Sequence, residues 1–109
     1  QGKIFVKDIA QKTDAYQLSK ALILNDNAEF SAKPELEIYA DDVKCSHGST
    51  SGSIDAEAIH YLMTRGIELR AAKKLLIKGF LNEIFDNIPE EKIRTFLDKS
   101  IEVQIDEIR

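Results

Sequence analysis

The spacing of apolar residues changes part-way along this chain, and that change restricts the folds open to it. From Lys3 to Cys45 they come in short bursts between polar turns: Ile4-Phe5-Val6, Tyr16-Gln17-Leu18, Leu22-Ile23-Leu24, Phe30, Leu36-Glu37-Ile38-Tyr39 and Val43-Lys44-Cys45. Such bursts are strand signals. After Gly52 the apolar residues recur at three and four, the spacing of an amphipathic helix. An α+β chain is expected, with strands first and helices after.

Within the first part, Phe5, Ile23 and Ile38 mark bursts at intervals of roughly one and a half dozen residues, which suits both a β-solenoid and a small antiparallel sheet. Asn25-Asp26-Asn27 is expected to form a tight turn, because these side chains bond their own main chain and tolerate left-handed backbone. Pro34 lacks an amide donor and belongs at a strand start or edge. Alternation puts Leu36 and Ile38 on one face and Glu37 and Tyr39 on the other, so this segment is expected to be half-buried.

In the second part, Ser53 or Asp55 is placed to cap a first helix, and Gly66 to end it as the C′ residue after Arg65. Ile54, Ala58, Ile59, Leu62 and Met63 form its expected buried stripe, with His60 on the solvent side. The second helix, expected over about residues 68–87, carries two adjacent stripes: Leu69, Ala72, Leu76 and Phe80, then Ile77, Leu81, Ile84, Phe85 and Ile88. A face that broad requires either a partner surface or a place between two helices of the same domain. Ile88-Pro89 ends that helix, and Pro89 at N1 with acidic residues behind it opens a third, along which Ile93, Phe96, Leu97 and Ile101 continue a stripe. Ile101 to Ile105 also alternate with period two, and helix is the reading kept there.

At 109 residues the chain makes one small domain at most. Its net charge of -4, with lysines interleaved among acids, argues against nucleic acid, since phosphate contacts need clustered Lys and Arg. A single cysteine forms no intrachain disulfide, and neither a signal-peptide core nor an apolar run of membrane-spanning length is found, so a cytoplasmic protein is expected. Gln1-Gly2 runs straight into a β-type segment, as in a piece excised from a longer chain. There is no phosphate-binding glycine loop of the Walker or dinucleotide type.

The residues with most chemical potential are Cys45 and His47, one residue apart. On an extended backbone i and i+2 share a face, which brings a thiolate and an imidazole within reach of one soft metal. Two donors make half a site, because structural zinc and iron-sulfur clusters want four ligands. A Cys-His nucleophilic pair would need an orienting group, for which Asp41 or Asp42 is available, and backbone donors near Gly48 or Gly52. The plainer alternative is a small buried cysteine at a strand end.

The run from Lys33 to Gly48, KPELEIYADDVKCSHG, closely resembles a signature of the SufB/SufD family of iron-sulfur cluster assembly proteins, and its Cys45-Ser46-His47-Gly48 is similar to the SufD branch. The resemblance extends through Asn25 to Ala28, Ile54-Asp55, Tyr61-Leu62, Arg65 to Ile67, Ala71-Ala72 and Leu75 to Phe80. Ser53 departs from the family's usual long polar or basic residue. The resemblance implies the final coils of a right-handed parallel β-helix over residues 1–51 and a small C-terminal helical domain over residues 52–109. It implies a non-catalytic scaffold that pairs with SufB, or with a second copy through the β-helix edge, and whose helical domain docks the SufC ATPase. Mapped onto this chain, Cys45 and His47 become ligand candidates at the partner interface for a transient iron-sulfur cluster, with none bound stably by this chain alone. Lys44 and His47 become candidates for activating the thiol. Ile77, Phe80, Leu81, Ile84 and Phe85 become docking candidates for the ATPase.

An uncovered β-helix end leaves unpaired backbone groups, so the isolated chain is expected to associate edge to edge. Sedimentation at rising concentration checks this; a species that stays strictly monomeric contradicts it.

Overall fold

A computed structural model describes residues 1–108. The expected domain end at Arg109 lies outside the described residues. The element order is β1 (Gly2–Val6), β2 (Asp14–Ile23), β3 (Pro34–Ile38), β4 (Lys44–Ser53), α1 (Ala56–Thr64), α2 (Leu69–Phe85) and α3 (Glu91–Asp106). Two compact units result, Gln1–Gly52 and a second beginning at Ser53.

In the first unit alternate strands are neighbours: β1 bonds to β3, and β2 to β4. β1 and β3 run parallel, with Gly2 opposite Pro34, Ile4 opposite Leu36 and Val6 opposite Ile38. The Tyr39 amide donates to the Val6 carbonyl at 2.9 Å and carries the ladder one step further. Parallel in-register pairing stacks like on like, so Ile4, Val6, Leu36 and Ile38 share one face. Val6 and Ala40 are the buried residues of this unit, whereas Leu36 and Ile38 remain more than a third exposed. On the other face Lys3 Nζ meets Glu37 Oε2 at 2.7 Å, Tyr39 Oη donates to Glu37 Oε1 at 3.1 Å, and the Phe5 and Tyr39 rings meet edge to face at 5.7 Å. The hydrogen bond from Lys3 holds the Glu37 carboxyl below its usual range and, reciprocally, raises the lysine.

Two strand expectations need correction. The bursts at Tyr16 and Leu22 belong to one strand, because Ser19-Lys20-Ala21 between them contains no Gly, Pro, Asn or Asp, and Ser19 alone does not turn the chain. Cys45 lies at the start of a strand and not at its finish: β4 begins at Lys44 and continues for eight residues beyond Cys45, to Ser53. That stretch, SHGSTSGS, has no apolar residue after Cys45, and its pairing with β2 rather than a pattern of its own makes it a strand. At Asn25 the expected turn forms: Asn25 Oδ1 accepts from the Asn27 amide at 3.0 Å, and the Asn25 carbonyl accepts from Ala28 at 3.0 Å.

The helical unit begins at Asp55, whose side chain accepts from the Glu57 amide at 2.9 Å. It turns out of α1 through a Schellman motif: Gly66 at φ 86 donates to Met63, and Ile67 donates to Leu62. Met63, expected in the buried stripe, is exposed, because it lies at the far edge of that stripe beyond Leu62. α3 starts at Glu91 with Glu90 as the cap residue, so Pro89 lies just outside the helix and not at N1. The helix continues to Asp106, which resolves the ambiguous Ile101–Ile105 run, and Ile105 is buried. Ile93 and Phe96 are exposed; the covered line on α3 is Leu97, Ile101 and Ile105.

Gly66→Ala should lower stability by about 1 kcal/mol, since a Cβ at positive φ is strained although open space surrounds it. Thermal melting followed by the helical circular-dichroism signal checks this; an unchanged midpoint contradicts it.

Candidate functional site

Cys45 and His47 lie near the start of β4, and the entry to that strand is fixed by the corner before β2. The Lys44 amide donates to the Thr13 carbonyl at 2.9 Å, the Lys12 amide to the Asp42 carbonyl at 2.5 Å, and the Asp42 amide to Gln11 Oε1 at 3.0 Å. Lys12 takes positive φ, 63, to reach this arrangement. Gln11 in turn donates to the Asp8 carbonyl at 2.7 Å, and Thr13 Oγ1 to the Ala10 carbonyl at 2.8 Å. None of these bracing residues stands out by composition. The only local signal is the break between the β1 burst and Tyr16, where this corner had to form.

The strand's alternation puts Cys45 and His47 on one face, with Lys44, Ser46 and Gly48 on the other. Gly48 lies beneath β2: a Cβ built on it would approach Tyr16 Oη at 2.7 Å and Leu18 Cδ1 at 3.5 Å. Cys45 and His47 therefore point to the side away from Tyr16 and Leu18. The thiol is free and half-buried, and the imidazole is exposed. Lys44, a candidate for activating the thiol, starts from the opposite face of the strand. Among the described residues no group of three or more His, Cys, Asp and Glu side chains converges as a metal site. The pair supplies two donors on one surface, a soft thiolate and a borderline imidazole, open to a second set.

The other predicted set is on α2. It packs against both α1 and α3, which accounts for much of its broad apolar face within its own unit. Ile77 is buried at 5% exposure, Phe80, Leu81 and Phe85 are half-buried, and Ile84 is exposed. Of the five docking candidates, Ile84 alone lies open on the helical unit's surface. The exposed Phe96 and Val103 of α3 were not among the candidates, because spacing alone does not tell which side of α3 meets α2.

With this geometry in place, residues 1–80 match the family model described as SUF system FeS cluster assembly, SufBD core domain. The chain belongs to the SufB/SufD family. It is 44% identical over 93 residues to iron-sulfur cluster assembly protein SufD of Escherichia coli, covering 85% of this chain and 22% of that protein. It is 36% identical over 96 residues to SufD of Bacillus subtilis, covering 88% and 22%. An iron-sulfur cluster assembly SufBD family protein of Synechocystis is 47% identical over 88 residues, covering 81% and 19%. Within the family the chain is SufD-like, and it spans about a fifth of the length of these relatives. The family model covers all four strands, Cys45 and His47 included, and ends within α2. No helix among the described residues is long and apolar enough to cross a membrane.

A half-buried thiol should react with iodoacetamide in the native chain, more slowly than after unfolding. Mass spectrometry of alkylated Cys45 checks this; complete resistance in the native state shows it sealed off from any partner.

Proposed function

We propose that this chain is a segment of a non-catalytic, cytoplasmic scaffold subunit of a SUF iron-sulfur cluster assembly complex. In this reading the strand unit forms the final coils of a right-handed parallel β-helix and pairs with SufB, while the helical unit docks the SufC ATPase. Alternate-strand pairing, with β1 parallel to β3 and β2 beside β4, supports the coil reading, because a solenoid bonds each strand to its counterpart one coil later.

The observation that carries the proposal is the placement of Cys45 and His47 on one face of β4 inside the matched SufBD core. A thiolate and an imidazole on one strand face can hold part of a nascent cluster, and the remaining ligands have to come from the partner chain. The cluster is cargo here: it is assembled across the interface and passed on. The chain's part is to present the two donors at a fixed separation and to keep the partner in register.

A second reading has its own support. Cys45 is half-buried, so it also suits a purely structural interaction module with an inert cysteine.

In the full-length protein, Cys45→Ala and His47→Ala should leave co-purification with SufB and SufC intact and reduce cluster transfer to an acceptor apoprotein at least tenfold. Unchanged transfer in both variants removes the ligand roles and favours the structural module. Failure of the unaltered protein to capture SufB or SufC removes the scaffold reading itself.

A further inference from the structure

β4 holds Cys45 and His47 on one face, yet its own composition does little to fix it there. From Ser46 to Ser53 the strand reads SHGSTSGS, with no apolar residue to mark which face belongs inside. In a strand that is polar on both faces register is weakly specified, and a slip of one residue moves every side chain to the opposite face. Cys45 and His47 would then turn to the side of Tyr16 and Leu18.

Two contacts with β2 bracket the pair. Upstream, the Lys44 amide donates to the Thr13 carbonyl at 2.9 Å. Downstream, Gly48 is half-buried against the hydroxyl end of Tyr16, whose ring is otherwise exposed. A Cβ at position 48 would stand 2.7 Å from Tyr16 Oη, too close for two non-bonded atoms. The next atoms, Leu18 Cδ1 at 3.5 Å and Tyr16 Cζ at 3.7 Å, would be in ordinary contact. One atom, the tyrosine oxygen, therefore takes the room of a side chain at 48.

Gly52 lies on the same face of the same strand, and a Cβ there meets nothing within 4 Å. The close fit thus belongs to position 48 and not to the glycines of β4 in general. β2 is fitted on its other face as well, where the Gln17 carboxamide fills the place that a side chain on Gly2 of β1 would need. Tyr16 therefore reaches β4 from a strand that is itself seated on β1.

We propose that Tyr16 and Gly48 are positioning residues, which lock the register of β4 on β2 and so keep Cys45 and His47 together on the face away from Tyr16. The lock stands on this geometry, and its consequence for cluster transfer rests on the ligand reading above.

Amide hydrogen exchange of β4 in the whole chain tests the lock. Gly48→Ala should speed exchange between Ser46 and Ser51 about tenfold, whereas Gly52→Ala leaves it unchanged. Tyr16→Phe removes the one atom in the way, so adding Gly48→Ala to Tyr16→Phe should change exchange no further. Equal effects of the two alanine substitutions, or an equal effect of Gly48→Ala with and without Tyr16→Phe, overturn the proposal. In the full-length protein, Gly48→Ala should lower cluster transfer about tenfold with SufB still captured, and Tyr16→Phe added to it should restore transfer. Transfer unaffected by Gly48→Ala, while His47→Ala abolishes it, overturns the positioning role and leaves the ligand reading standing. Transfer unaffected by His47→Ala removes the ligand reading, and the exchange result still decides the lock.

Discussion

The parallel, in-register pairing of β1 with β3 is the constraint on which the strand unit depends. A parallel pair cannot be closed by a tight turn, so the chain must travel out and return before Pro34 can lie beside Gly2. That excursion is β2 and its corners, and the same path repeated carries β4 to β2. The corner bonds from Lys12, Gln11 and Lys44 stack one excursion on the next and thereby set where β4 begins. The positions of Cys45 and His47 follow from that register and not from any contact between them.

Little of this unit is buried. Val6 and Ala40 are its enclosed apolar residues, and the face carrying Leu36 and Ile38 is incompletely covered. The outer face compensates with a ladder of Lys3, Glu37, Tyr39 and Phe5, whose exposed members contribute modestly in water. Thin burial and an open face suit a unit completed by more protein, and a two-donor site has the same character. The proposed chemistry thus depends on a surface that this chain presents and does not enclose.

The helical unit solves a different problem, fitting a helix with too much apolar surface into a small domain. α2 lies between α1 and α3, and the turn from α1 into α2 is set by Gly66, whose positive φ lets Ile67 reach back to Leu62. Ala72, fully enclosed, is small enough for close helix approach, while Ile77 fills the space left. Two neighbours cover much of the broad face, while Leu69 and Ile84 within it remain open.

The sequence by itself determined the order of strands and helices, the Asn25 turn, the Asp55 and Gly66 caps, and the presence of a thiol and an imidazole at i and i+2. These depend on local backbone preferences and on side chains bonding their own neighbours, so they are readable within a few residues. The family was legible too, since the run from Lys33 to Gly48 carries a long specific match. Only the tertiary structure decided that SHGSTSGS is strand, that Tyr16 and Leu22 share one strand, that Pro89 lies outside α3, and that Ile77 is buried while Phe96 is not. The strand at SHGSTSGS and the burial of Ile77 are settled by partners distant in the chain, β2 for β4 and the two neighbouring helices for α2. A polar segment's hydrogen-bond partner, or the side of a helix that a neighbour covers, is not encoded in its own spacing.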